Sequence, residues 1–159
     1  IFDACPFAAA RAGLRSYPLD QDRMLAMVDM GAKTTSLVIL RGASLQFVRN
    51  IELGGDNFSK AAGEGRETES LLSELAREIE RSLLYCEAAQ LAQRLDRVIL
   101  CGAAAQLKGF DAFLAEKLGA SVELGNPFKN FSLEASASEY LKKEAGAWRF
   151  MAAVGAALS

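Results

Sequence analysis

The chain has 159 residues, 51% of them apolar and 24% charged, with a formal net charge of −2. That is enough for one well-buried core, and the mild acidity excludes the clustered Lys and Arg footprint of a nucleic-acid binder. The sequence has no histidine, so Ser-His and Cys-His dyads are ruled out and the commonest metal ligand is missing. No apolar run approaches the roughly 18 residues of a membrane span, so direct membrane insertion is not expected. Cys5, Cys86 and Cys101 form an odd set with no C-x-x-C spacing, which reads as reduced thiols in a cytosolic protein. The chain opens at Ile1 and not at methionine, so further residues are expected upstream.

Residues 1–23 begin with small apolar residues around Pro6, and Ala8–Leu14 predicts a short helix before the turn residues Pro18 and Asp20. Leu25–Met30 and Ser36–Leu40 are short Val/Ile/Met-rich runs separated by a Gly-containing polar turn. After Arg41-Gly42-Ala43-Ser44, residues Leu45–Leu53 alternate apolar and polar, so three strands joined by hairpins are predicted. Asp56 or Asn57 caps a short helix to Ala62, broken by Gly63-Glu64-Gly65. From Glu67 to about Leu91, Leu72, Leu75, Ile79, Leu83 and Cys86 recur at three- and four-residue steps, the signature of one long amphipathic helix. Its outer face, with Glu69, Arg77, Glu78, Glu80 and Arg81, reads as a solvated surface.

Arg97–Cys101 predicts a buried strand, and Gly102–Gly109 a Gly/Ala loop leading into a helix over Phe110–Leu118 that Gly119 ends. Val122–Leu124 predicts a short strand before the turn at Gly125–Phe128. Residues 130–146 are polar and aperiodic, and Trp148–Leu158 predicts an Ala-rich final helix anchored by Trp148, Phe150 and Met151. Phe128 and Phe131 flank a Pro-containing turn and read first as packing under the loop, with a partner contact as the alternative. The order of elements predicts a single α/β domain with a mixed sheet flanked by helices.

Two loops carry the patterns that suit a nucleotide. Asp29-Met30-Gly31-Ala32-Lys33-Thr34-Thr35 sits between the first two strands. A glycine there admits close backbone approach, successive amides form an anion nest, and an Asp ending the first strand suits a Mg²⁺-bound water. Taken alone, the same residues also describe a hairpin turn with local Asx and Thr hydrogen bonds. Gly102–Gly109 follows a strand and precedes a helix, where small residues let a base or ribose lie against the backbone. Alone, it reads first as a close-packed strand-to-helix junction. Lys33 and Lys108 read as solvated, and Cys101 as core.

The loops gain meaning from their order: a D-x-G-x-x-T meander, a helical segment, then strand, Gly/Ala loop and helix. This layout resembles the second lobe of the actin/Hsp70/hexokinase ATPase fold, an actin-like (ribonuclease H-like) lobe. Within it the chain is most similar to the PilM family of type IV pilus assembly proteins. The similarity is carried by Val28-Asp29-Met30-Gly31 with Thr34 and Thr35, Ile51–Phe58, Ala76–Leu83, Val98–Gly102 with Leu107-Lys108-Gly109, Val122–Phe128 and Ala153–Leu158.

The resemblance implies a cytoplasmic scaffold component of type IV pilus, or related type II secretion, assembly. Such a protein is peripheral to the inner membrane and recruits the cytoplasmic tail of a membrane-anchored assembly partner. It binds ATP and Mg²⁺ between two lobes in the complete protein, with at most weak ATPase activity. It also implies that Asp29, Gly31, Thr34 and Thr35 contact phosphate and magnesium, and that Gly102, Ala103 and Gly109 lie near the adenosine. A small-molecule kinase of the same superfamily and a cell-division or shape-determining actin relative are the alternatives.

Three departures from the family pattern shape the expectation. Only the C-terminal lobe is present, so the exposed inter-lobe face implies self-association or a covering partner. The adenosine loop reads Gly-Ala-Ala-Ala, whose added Cβ atoms push a base outward, so a nucleotide-free scaffold is the expected alternative. The helical insertion at about 56–93 is reduced.

Overall fold

The structure, a computed structural model, describes residues 5–21, 23–65, 67–89, 95–141 and 146–158. Its centre is β1 (Met24–Met30), every residue of which is buried except the half-buried Asp29. Alternate side chains of a strand point to opposite faces, so a strand without polar alternation needs cover on both sides. Met24, Ala26, Val28 and Met30 enter one apolar cluster, and Leu25 and Met27 enter another.

Strand β2 (Thr35–Arg41) pairs antiparallel with β1, and β3 (Ser44–Ile51) pairs antiparallel with β2. On the other side of β1, β4 (Arg97–Cys101) and then β5 (Ser121–Leu124) add in parallel. The sheet order is β3-β2-β1-β4-β5. The local strands close through hairpins, while the parallel ones need helical crossovers. This is the mixed sheet flanked by helices that the order of elements predicts.

One face is covered by α2 (Gly55–Gly63), α3 (Glu69–Ala88) and α4 (Phe110–Leu118). Phe58, Leu75, Ile79, Phe110 and Leu114 form its core with the even-numbered β1 residues. The opposite face is covered by α1 (Cys5–Ser16) through Ala9, Ala10 and Ala12, and through Met151 by a final helix taken up below. Helix α1 is longer than the sequence predicts. Pro6 lies in its first turn, where a missing N–H leaves nothing unsatisfied. Its C-terminal end holds the Gly125–Phe128 turn: the Ser16 hydroxyl donates to the Pro127 carbonyl at 3.1 Å, and the Tyr17 hydroxyl accepts the Asn126 N–H at 2.9 Å. Burial pushes the Tyr17 phenol above its ordinary value.

The structure differs from the expectation at two further helices. Between residues 130 and 146 it contains α5 (Ala135–Tyr140), which buries no residue and so leaves no periodic apolar signal. The predicted final helix divides into a 3₁₀ turn at Ala147–Phe150 and α6 (Met151–Ala157). Helix α3 runs Glu69–Ala88, and the predicted extension beyond residue 89 lies outside the described residues. Phe128 packs on the Phe150 ring at 6.1 Å between centroids, whereas Phe131 is exposed. Among the described residues no helix is long and apolar enough to cross a membrane.

Candidate functional site

The candidate site forms where three chain segments meet at the C-terminal ends of β1 and β4, the edge at which open α/β sheets place ligands. Asp29 lies opposite Ser36 of β2 and Cys101 of β4 in the sheet register. Beyond it the chain turns: the Gly31 N–H donates to the Thr34 carbonyl at 3.0 Å. The amides of Ala32, Lys33 and Thr34 find no partner among the described residues, and Ala32 and Lys33 are exposed. Consecutive unpaired amides in a tight turn are an anion nest.

Helix α2 starts directly on this turn. The Gly55 N–H donates to the Gly31 carbonyl at 2.9 Å and the Asp56 N–H to the Ala32 carbonyl at 2.8 Å. Asn57 reaches back, its Oδ1 accepting the Gly54 N–H at 2.9 Å. The first amides of α2 are therefore engaged in fixing the turn and do not face a ligand.

The Gly102–Gly109 loop docks on the same turn. Gly102 has φ +88°, and a Cβ on it would stand 2.5 Å from the Met30 carbonyl oxygen and against the Asp29 carboxylate. The Ala104 N–H donates to the Met30 carbonyl at 3.0 Å. A third segment joins through the Gly102 N–H, which donates to the Trp148 carbonyl at 3.1 Å.

Between these segments opens a cavity of about 530 Å³, within the ordinary range for a small-molecule site of about 300–1,000 Å³. Gly31, Ala32, Ala103 and Ala104 form its small-residue wall. Asp56 and Ser59 of α2, together with Thr68, Gln106 and Arg149, supply its polar groups. Of the residues singled out in the sequence, Gly31 and Ala103 line the cavity. Asp29, Thr34, Thr35, Gly102 and Gly109 do not. Asp29 and Gly102 abut each other, and Gly109 is exposed at the start of α4.

Thr35 is fully buried, and its hydroxyl donates to the Leu53 carbonyl at 2.7 Å. That bond ties the start of β2 to the segment entering α2. Thr35→Val is expected to lower stability by about 1–3 kcal/mol, because the Leu53 carbonyl is left buried and unpaired. Urea denaturation measures this, and an unchanged midpoint would show that the hydroxyl has no structural share.

The Asp29 carboxylate has no hydrogen-bond or ion-pair partner among the described residues, and burial raises its pKa above the ordinary carboxylate value. An unneutralised carboxylate beside an anion nest is chemically suited to a hydrated cation that also meets the anion. Among the described residues no group of three His, Cys, Asp or Glu side chains could by itself hold a metal. A cation here would therefore rely on water and on the ligand. Sequence spacing missed Ser59, Thr68, Gln106 and Arg149. Gly54-Gly55-Asp56-Asn57 was visible as a helix start, but nothing local announces that Arg149 returns to this cavity.

Comparison with known proteins places this geometry. The family profile described as type IV pilus assembly protein PilM matches residues 68–159. Among solved structures, a PilM–PilN type IV pilus biogenesis complex matches with a TM-score of 0.84 at 26% identity, covering 99% of this chain and 52% of that one. Ta0583, an archaeal actin homolog solved in complex with ADP, matches with a TM-score of 0.61 at 16% identity, over 100% of this chain and 58% of that one. Ethanolamine utilization protein EutJ from Carboxydothermus hydrogenoformans matches with a TM-score of 0.56 at 21% identity, over 97% of this chain and 53% of that one. The last two share the fold alone, and the fold is that of the actin-like ATPases. The chain spans about half the length of the solved structures it matches. No curated protein sequence matches it.

Proposed function

The chain belongs to the type IV pilus assembly protein PilM family, and on that premise we propose that it is the second lobe of a cytoplasmic scaffold in type IV pilus, or related type II secretion, assembly. The observation that carries the reading is the likeness over 99% of the chain to a PilM held in a PilM–PilN complex. By that likeness, its partner is the cytoplasmic tail of an inner-membrane assembly protein of the PilN kind, which holds it at the membrane surface. Self-association through the inter-lobe face belongs to the same proposal.

We further propose that the complete two-lobed protein carries Mg-ATP at the cavity. The residues present fit it. The free amides of Ala32, Lys33 and Thr34 offer donors to phosphate, and Asp29 offers a carboxylate to a Mg²⁺-bound water. Gly31 admits close backbone approach and Ala103 lines the cavity wall, with Gly102 and Gly109 shaping the adenosine loop. Thr35 contributes through its position, since its hydroxyl is bonded to Leu53. Bound between lobes, the nucleotide would supply charge that draws them together, with hydrolysis slow at most.

Calorimetric titration of Mg-ATP into a version extended through the other lobe, comparing the parent with Asp29→Asn, tests this. Binding by the parent and its loss in the variant are expected. The same variant is expected to be more stable than the parent near neutral pH. A raised folded pKa means the folded state holds the Asp29 proton more tightly than the unfolded chain. The group's contribution is then fully present at acid pH and lost as pH rises from the ordinary Asp value through the raised one. If parent and variant bind equally, or neither binds, the nucleotide reading is wrong. If a tail peptide of the membrane partner fails to bind the extended protein, the scaffold reading is wrong.

A further inference from the structure

A second surface, sharing no lining residue with the cavity, lies along the β3 edge and α3. Strand β3 ends the sheet, and among the described residues its outer edge makes no backbone hydrogen bond to another segment. Such an edge presents a row of unpaired N–H and C=O groups. The register shift at Ile39/Leu40 leaves Gln46 as the extra residue, so Phe47–Ile51 is the regular part of the strand.

Beside it is a groove of about 390 Å³ lined by Phe47, Arg49, Arg81, Ser82 and Tyr85. Phe47 and Tyr85 meet at 5.8 Å between ring centroids, and Tyr85 remains 60% exposed. Arg49 is already fixed, donating to Ser82 Oγ at 2.8 Å and to Glu78 Oε2 at 2.6 Å. Arg81 is exposed, with no ion-pair partner among the described residues. The groove thus offers a free guanidinium, an aromatic shelf and an open strand edge, and no carboxylate lines it.

We propose that this edge receives an extended segment of a partner protein, which adds as a strand beside β3. The segment places an acidic side chain against Arg81 and an apolar one over Phe47 and Tyr85. Strand addition supplies affinity through main-chain hydrogen bonds, and alternate side chains supply selectivity. Charge disfavours a second copy of the same edge, since neither Ser44–Ile51 nor the groove carries an acid that could meet Arg81.

The test uses two labelled eight-residue peptides with threonine at every second position. The positions between them alternate valine with glutamate in one peptide and valine with lysine in the other, so that one face offers both an apolar and a charged side chain. Each is titrated into the full chain by fluorescence anisotropy. The glutamate peptide is expected to bind roughly tenfold or more tightly than the lysine peptide, and to slow hydrogen exchange at Phe47–Ile51. Arg81→Glu, on an exposed helix face, is expected to reverse that preference. Tyr85→Ser is expected to weaken the glutamate peptide about fivefold or more. The proposal is overturned if neither peptide binds, if both bind alike, or if Arg81→Glu leaves the preference unchanged. Self-association of the chain through this edge, detected by sedimentation and lost in Arg81→Glu, overturns it in favour of a second copy.

Discussion

Gly155→Val is expected to separate α1 and α6 from the sheet. Gly155 lies on α6 where that helix crosses α1, and a Cβ there would fall within the Ala8 carbonyl, with Ala8 Cα 3.1 Å away. The obstructing atoms are backbone, so no side-chain rotation relieves them. Neither helix is free to move off. Helix α1 holds Ala9 and Ala12 fully buried against β1 and β2, Met151 holds α6, and Arg11 Nε donates to the Gly155 carbonyl at 3.1 Å.

The alanine variant sets two effects against each other. In an isolated helix, Gly→Ala gains up to about 1 kcal/mol from propensity. Overpacking a close crossing costs about 1–3 kcal/mol, and more when backbone must shift. The crossing should win. Gly155→Ala is expected to lose stability in urea denaturation, and Gly155→Val to lose at least about 3 kcal/mol together with its near-UV dichroism. A stabilised Gly155→Ala would show that the helices do not approach as closely as the structure places them.

The second large effect is expected at Gly102, and it bears on the site. At φ +88° an L side chain is strained, at a cost of about 1–2 kcal/mol. Contact adds to that strain, since a Cβ would stand 2.5 Å from the Met30 carbonyl oxygen and 2.7 Å from the Met30 nitrogen. Relief requires the loop to lift from β1, which breaks the Ala104-to-Met30 hydrogen bond and opens the cavity wall. Gly102→Ala is therefore expected to cost about 2–5 kcal/mol, strain and overpacking together, and to abolish the Mg-ATP binding proposed for the two-lobed protein.

Gly109→Ala is the matched control. Its φ is +77°, but nothing lies within 4 Å of an added Cβ, so only the conformational cost of about 1–2 kcal/mol applies. Equal losses for the two variants would refute the close approach as the cause.

Much of the fold was legible because its signals are local. Short apolar runs marked β1, β2 and β4 as strands, and three- and four-residue spacing marked α3 as one helix. The paired loops, read in order, pointed to the actin-like fold and to the PilM family. Helix α5 and the 3₁₀ start of the last helix were not legible. The first buries nothing, and the second depends on how Gly146 turns beside Trp148.

The sequence by itself determined the five strands, the helices α2, α3 and α4, and which two turns hold glycine at strand ends. Hydrophobic period and φ freedom are properties of neighbours along the chain. Tertiary structure alone decided how those turns are used. It directed the Thr35 hydroxyl inward to Leu53, engaged the first α2 amides with Gly31 and Ala32, and left the following turn amides open. It also brought Arg149 to the cavity and set Arg81 beside an unpaired strand edge. Which acceptor a donor meets, and which charge is left without a partner, depends on residues far apart in the chain. No periodicity encodes that.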